Sequence, residues 1–327
     1  MALKVKKKKS GIRIFATLLL MAVIAAFVYK FSIFPVNHQI SDEKYHDKAS
    51  MYSSLKIIRN YSDGKTTQSL DKLSSPNAIL IRLEDYTVIM QKNSQVKIYP
   101  ASLTKIMTAI VAIESLHDLK EEIELTNSTF QGLYEAGASM AGFQPGEQVR
   151  AIDLLYGAML PSGAECCIGL AERIAGTEQA FVKRMNQKAA KLGMENTHFE
   201  NATGLHKDNH YTTVEDLAVL LCYALQNDTF QKIFTSPRHS TPPTNKHADG
   251  ITVNSSMFEK LNGSNLIGGK ILGGKTGYTG AAGLCLASLA KVNNQEYVLV
   301  TAGAKGDTHS EQFNISDAIA VYSNIGR

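Results

Sequence analysis

Cysteine is scarce in this chain: Cys166, Cys167, Cys222 and Cys285 are the four in 327 residues, and the first two are adjacent and poorly placed to pair. So few in a chain this long do not make a disulfide framework. They read as small hydrophobes in a core that does not depend on oxidation. Acid is absent from the first thirteen residues, where Lys4, Lys6, Lys7, Lys8, Lys9 and Arg13 stand. The net charge is +4, so without those six cations the remainder carries −2. A body this close to neutral excludes nucleic acid as a partner and assigns the basic run to targeting. The chain has no internal repeat, no low-complexity domain and no H-E-x-x-H. His206 and His210 have the i, i+4 spacing of a metal pair, but Lys207, Asp208 and Asn209 stand between them, with no glutamate. They read as loop histidines, and neither a metal nor any other cofactor is expected.

What is present begins with an uncharged stretch, residues 14–29, rich in Phe, Leu, Ile and Val, with apolar character continuing past Lys30 to Val36. Behind a basic run it reads as a transmembrane anchor with residues 1–13 in the cytoplasm and the rest of the chain outside. Ala22, Ala25 and Ala26 supply small residues for the competing reading, a cleaved signal peptide, but no convincing cleavage motif follows. Residues 37–75 are polar, without sustained periodicity, and read as a juxtamembrane stalk. Residues 76–327 then form the folded domain.

Within that domain the periods change twice. Residues 78–83 and 87–90, flanking Glu84-Asp85-Tyr86, read as two strands around a turn. Residues 102–116, 151–159, 163–175, 178–192 and 213–225 have helical spacing. Residues 281–290 and 296–302 return to strands joined through Asn293-Asn294, and residues 310–322 form a last amphipathic helix. Strands at both ends with helices between predict an α+β fold, an antiparallel sheet covered by helices, in which the first and last elements meet.

Three motifs carry chemistry. In Tyr99-Pro100-Ala101-Ser102-Leu103-Thr104-Lys105 a serine and a lysine three apart open a helix. They share a face there, near the orphan N–H groups and positive dipole end that favour an alkoxide. A serine hydroxyl needs such a base to become a nucleophile, and burial or a neighbouring cation would keep Lys105 neutral. The second motif is Leu160-Pro161-Ser162-Gly163-Ala164-Glu165, by default a helix cap. The third is Gly273-Gly274-Lys275-Thr276-Gly277-Tyr278-Thr279-Gly280, whose glycines by default make a turn beside the late strand. Each alone is weak, but their order and spacing match the set shared by penicillin-binding proteins and class A β-lactamases.

From about Asn77 onward the chain resembles the serine D-alanyl-D-alanine carboxypeptidases among the low-molecular-weight penicillin-binding proteins. The resemblance rests also on Met194-Glu195-Asn196-Thr197-His198-Phe199-Glu200-Asn201-Ala202-Thr203-Gly204-Leu205 and on His210-Tyr211-Thr212-Thr213-Val214-Glu215-Asp216-Leu217-Ala218. It implies a β-lactamase/transpeptidase-like fold: a five-stranded antiparallel sheet flanked by helices, with an inserted helical region. It further implies Ser102 as nucleophile, Lys105 as general base and Ser162 as proton relay to the leaving amine. The oxyanion hole would come from the backbone N–H groups of Ser102 and Tyr278. Lys275, Thr276, Gly277, Tyr278 and Thr279 would bind the substrate's terminal carboxylate region. The implied partners are peptidoglycan stem peptides, with β-lactams as covalent inhibitors.

One position departs from the family. Its second motif usually ends in asparagine, and Ala164 stands there, so a water or a neighbouring side chain must take over or activity falls. Glu165, on the first helical turn, reads as a dipole-favoured surface group rather than that neighbour. Two other functions stay open. A β-lactamase-like hydrolase would need a deacylating acid; Glu195 and Glu200 are available, but their setting matches the carboxypeptidases. A non-catalytic wall-binding or β-lactam-sensing protein would account for Ala164.

Overall fold

The structure is a computed structural model that describes residues 72–261 and 266–325. The chain divides into two units, Met1–Ser53 and Ser54–Arg327, and every described residue belongs to the second. The predicted basic segment, membrane anchor and most of the stalk therefore lie outside the described residues. Residues 74 and 75, at the end of the expected stalk, are docked on the domain: their N–H groups donate to the two carboxylate oxygens of Asp317 at 2.9 and 2.8 Å.

The sheet is built from both ends of the domain. Strands β1 (Asn77–Arg82) and β2 (Val88–Lys92) form the N-terminal hairpin. Strands β7 (Gly269–Thr279), β8 (Gly283–Val292) and β9 (Gln295–Ala304) form the C-terminal meander. Their order is β2-β1-β9-β8-β7, and β1 and β9 pair antiparallel from Asn77↔Ala302 to Arg82↔Tyr297. The five-stranded antiparallel sheet and the meeting of first and last strands agree with expectation. At the β8–β9 hairpin Asn293 and Asn294 both have positive φ, +47° and +67°, as a two-residue turn matched to strand twist requires.

The period-2 pattern sends the two faces of β1 into different layers. Ala78 and Leu80 join Leu286, Ala290 and Leu299 beneath helix α8 (Phe313–Ile325), against its Ile315, Ala318, Val321 and Tyr322. The opposite face is covered by the helical layer. Helix α1 (Thr104–Ser115) is buried from Thr104 to Ile113, and α5 (Val214–Ala224) is buried along its whole length. Helices apolar on every side belong in the centre of a domain. Around α1 stand α2 (Ala151–Met159), α3 (Ala164–Ala175) and α4 (Glu178–Lys191). Thr177 caps α4 and Thr213 caps α5 through side-chain acceptance of N–H groups.

Several elements were not legible as such. Two small two-stranded sheets, β3 (Glu122–Leu125) with β4 (Glu147–Arg150) and β5 (Arg238–Ser240) with β6 (Thr252–Asn254), flank the helical layer. The short helix α6 (Asp228–Phe234) completes it, while α7 (Ser256–Leu261) packs through Met257 and Leu261 beside α8 on the other face. The Gly273–Gly277 run is not a turn but the middle of β7. A Cβ at Gly273 would lie 2.3 Å from the Phe234 carbonyl oxygen, and one at Gly274 would lie 2.5 Å from Met257 Sδ. These glycines let neighbouring elements approach the strand.

Asp317 → Ala leaves the Ser74 and Ser75 N–H groups without acceptors, the second of them buried. It should lower unfolding free energy by about 2–3 kcal/mol, read from urea denaturation.

Candidate active site

Ser102 sits on a 3-10 turn, Ala101–Leu103, that leads directly into α1. The turn is strained at Ala101, whose φ is +47°, and it is held from two sides. A Cβ at Gly204, φ +83°, would fall 1.9 Å from the Ala101 carbonyl oxygen, and a Cβ at Gly277 of β7 would lie 3.2 Å from the Ser102 nitrogen. Both positions need glycine because backbone packs there.

Lys105 is 2% exposed. Its Nζ lies 3.0 Å from Ser102 Oγ and donates to the Thr203 carbonyl oxygen at 2.5 Å. That carbonyl is aimed by its own loop: Asn201 Oδ1 accepts from the Thr203 N–H, the Thr203 hydroxyl and the Gly204 N–H at 3.2, 3.1 and 2.7 Å. Thr108 of α1 donates to the Ala202 carbonyl at 2.7 Å, and Glu178 of α4 accepts the Ala202 N–H at 2.9 Å. Burial lowers the Lys105 pKa from its ordinary value, with nearby Glu165 opposing. Lys275, 1% exposed, is pushed well below its ordinary value first by burial and then by the charge of Lys105. Both amines are thus biased towards the neutral form.

The third motif supplies the wall beside Ser102. Lys275 lies under β7 and donates from Nζ to the Thr276 carbonyl at 2.9 Å, while the Thr276 hydroxyl meets Ser256 Oγ at 2.7 Å. Tyr278 is half-buried near the strand end. The Thr279 hydroxyl accepts the Ala282 N–H at 3.1 Å and is committed to the turn that follows.

Ser162 has φ +74° and is buried, and its Oγ has no hydrogen-bond partner among the described residues. Its turn is fixed by backbone bonds: Gly163 N–H to the Gly157 carbonyl and Ala164 N–H to the Ser139 carbonyl, both 2.8 Å. The side chain at 164, where the family has asparagine, offers no polar group. Ala164 is 1% exposed in an apolar cluster with Leu133 and Ile168, packed by Ala138, Met140 and Leu205.

Glu165 overturns an expectation. It is fully buried, not a surface group, and its Oε1 accepts the N–H groups of Ala141 and Gly142 at 2.7 and 3.0 Å. The loop formed by residues 131–143 comes back over the start of α3, and nothing in the spacing of the sequence announces that. Thr203 and Asn201 lie in a segment that carries the family resemblance, but only the fold brings the Thr203 carbonyl to Lys105 and the Asn201 side chain to the Thr203–Gly204 loop.

His210 and His206 do not converge. His210 is buried; its Nδ1 accepts the Glu200 N–H at 3.1 Å, so its Nε2 carries the proton, 2.8 Å from Thr104 Oγ1. His206 is exposed, edge-on to Tyr99. No group of three or more metal-ligating side chains occurs among the described residues. All four cysteines are buried and unpaired with one another. Glu195 and Glu200 are exposed, unlike a buried deacylating acid.

A five-stranded antiparallel sheet with helices on both faces, and a serine and a buried lysine in contact where the helical layer meets β7, is the architecture against which known proteins compare. The crystal structure of Streptomyces K15 DD-transpeptidase superposes with a TM-score of 0.70 at 24% identity, over 78% of this chain and 98% of that one. A D-alanyl-D-alanine carboxypeptidase from Mycobacterium tuberculosis H37Rv superposes with a TM-score of 0.67, also at 24% identity, over 81% and 95%. The family model for D-alanyl-D-alanine carboxypeptidase matches residues 64–306, and the chain belongs to that family. DacF of Bacillus subtilis (strain 168) is 34% identical over 242 residues, 74% of this chain and 60% of the relative. DacC of Escherichia coli (strain K12) is 33% identical over 258 residues, 73% and 59%. The chain thus spans about three fifths of the length of these curated relatives.

Burial takes the His210 pKa from 6.5 to about 4. The unfolded chain therefore binds more protons between those values, and stability is lost as pH falls through that window. Urea denaturation at pH 7 and pH 4 should show a contribution of about 3 kcal/mol, absent in a folded His210 → Gln variant.

Proposed function

We propose that the chain is a serine D,D-carboxypeptidase that removes the terminal D-alanine from peptidoglycan stem pentapeptides through an acyl-enzyme at Ser102. The observation that carries this is the buried Lys105 amine, 3.0 Å from Ser102 Oγ and held by the Thr203 carbonyl. A neutral amine has one lone pair. With an N–H spent on Thr203, the lone pair can take the Ser102 proton as Oγ attacks the carbonyl between the two D-alanines. The backbone N–H groups of Ser102 and Tyr278 would receive the oxyanion, a type of interaction that contributes several kcal/mol to the transition state.

The proton taken by Lys105 must reach the leaving nitrogen. Ser162 is suited to carry it, since its hydroxyl is committed to no other group among the described residues. Free D-alanine departs, and water attacks the ester under the same base to release the tetrapeptide and restore the Ser102 hydroxyl. Lys275, Thr276 and Thr279 of β7 would supply an amine and two hydroxyls for the terminal carboxylate, and a bound carboxylate would draw a proton onto the Lys275 amine that burial otherwise keeps neutral. β-Lactams, which present a strained amide and a carboxylate, would acylate the same serine.

Where this takes place follows from the residues before the domain. No helix among the described residues is long and apolar enough to cross a membrane. The basic run 1–13 and apolar stretch 14–36 support a single-pass anchor with the catalytic domain outside the cytoplasm. A second reading, a β-lactam-binding wall sensor with little turnover, is favoured by the apolar surroundings of Ala164.

The two readings separate in one experiment. Incubation with penicillin should give a covalent adduct on Ser102 by mass spectrometry, and a pentapeptide ending in D-Ala-D-Ala should release alanine. Ser102 → Ala should abolish both, and Lys105 → Met should slow acylation by about 10²–10⁴-fold. The acylation rate should fall as pH drops through the depressed Lys105 pKa, because protonation removes the base. An adduct without alanine release selects the sensor, and no adduct overturns both.

A further inference from the structure

Among the buried ionisable groups that the mechanism does not use, Glu165 sits next to the position where the family's asparagine is missing. Glu165 is fully buried on the first turn of α3, three residues after Ser162. Its Oε1 gathers two N–H groups of another segment, Ala141 and Gly142, while its Oε2 is buried with no hydrogen-bond partner among the described residues. A buried carboxylate oxygen left unsatisfied costs stability. What the chain gains for that cost is a fixed junction between residues 139–142 and the Ser162 turn.

The junction is tight. The Ala164 N–H donates to the Ser139 carbonyl at 2.8 Å, so the two segments are bonded in both directions. A Cβ at Gly163 would lie 2.7 Å from Ala141 Cβ and 2.9 Å from the Ala141 nitrogen. The residue on the other side of Gly163 is Ser162, which is held at φ +74° and has no side-chain bond of its own. Its conformation must therefore be imposed from the backbone around it. At Ala164 a methyl group packed among Leu133, Met140 and Leu205 offers contact but no directional bond.

We propose that Glu165 is a positioning residue for Ser162: by accepting the Ala141 and Gly142 N–H groups it clamps residues 139–142 onto the Ser162–Ala164 turn and fixes where the Ser162 hydroxyl points. This takes over the orienting task that the side chain at 164 does not perform. Burial raises the carboxyl pKa, with the accepted N–H bonds opposing. The clamp itself needs only the acceptor at Oε1, not the charge.

That distinction makes the proposal testable on the full-length protein. It rests on the carboxypeptidase reading, which is checked first by alanine release from the unsubstituted protein. Glu165 → Met matches the length of the side chain without an acceptor. It should lower kcat for alanine release by about 10²-fold, the scale of one proton-transfer group, with KM changed less than about threefold. Glu165 → Gln keeps the acceptor and should recover most of that loss. In a Ser162 → Ala background Glu165 → Met should cost nothing further, because the clamp acts only through the missing hydroxyl.

An unchanged kcat in Glu165 → Met, a Gln variant as slow as the Met variant, or a full additional loss in the Ser162 → Ala background each overturns it. If the Met variant does not fold, amide hydrogen exchange in the unsubstituted protein decides. Slow exchange at Ala141 and Gly142, preserved in Glu165 → Gln, supports the clamp, and fast exchange at either amide in the unsubstituted protein overturns it.

Discussion

Everything at the junction of sheet and helices depends on keeping one lysine out of water. A solvated Lys105 would be an ordinary ammonium group, of no use as a base beside a serine. Its burial requires α1 to be central rather than peripheral, and that helix is buried all round from Thr104 to Ile113. It also requires a partner for the amine that carries no negative charge, because a carboxylate in contact would hold the proton on. The Thr203 carbonyl is such a partner. The Asn201 side chain bends its loop so that this carbonyl faces inward, and Gly204 lets the loop lie directly on Ala101.

The two serines are both reached through unfavourable backbone. Ala101, just before Ser102, and Ser162 itself have positive φ without being glycine, at a cost on the order of 1–3 kcal/mol each. Neither conformation would survive on an isolated loop. Ala101 is pinned between Gly204 and Gly277, and Ser162 between the end of α2 and the loop clasped by Glu165. Packing of the domain thus offsets strain at the two hydroxyls, and the stiffness of the surroundings becomes the precision of the site.

The parts of this arrangement legible in the sequence were those with a local signal. Helices α2, α3, α4 and α5 follow from their apolar period, the β8–β9 hairpin from Asn293-Asn294, and the serine and lysine from their spacing on one helical face. The parts that escaped are long-range. Glu165 has the sequence neighbourhood of a first-turn surface acid, and only the return of residues 139–142 over α3 buries it. The glycines of β7 look like a turn because glycine's local meaning is flexibility, whereas here it is thinness, set by Phe234 and Met257 from elsewhere in the chain. The short sheets β3–β4 and β5–β6 have three or four residues per strand, too few for alternation to register.

The pairing of β1 with β9 has a kinetic side. Asn77 meets Ala302 across most of the domain, so the central strand of the sheet, β9, is nearly the last to be synthesised. Loop closure on that scale is slow and defers the reward of pairing until the ends meet. Until β9 arrives, the β7–β8 hairpin is not joined to β1, because β9 is the strand between them. A nascent chain can carry all three motifs and still hold only a hydrated lysine and an idle serine. The surroundings that bury Lys105 thus belong to the completed fold rather than to any one segment of it.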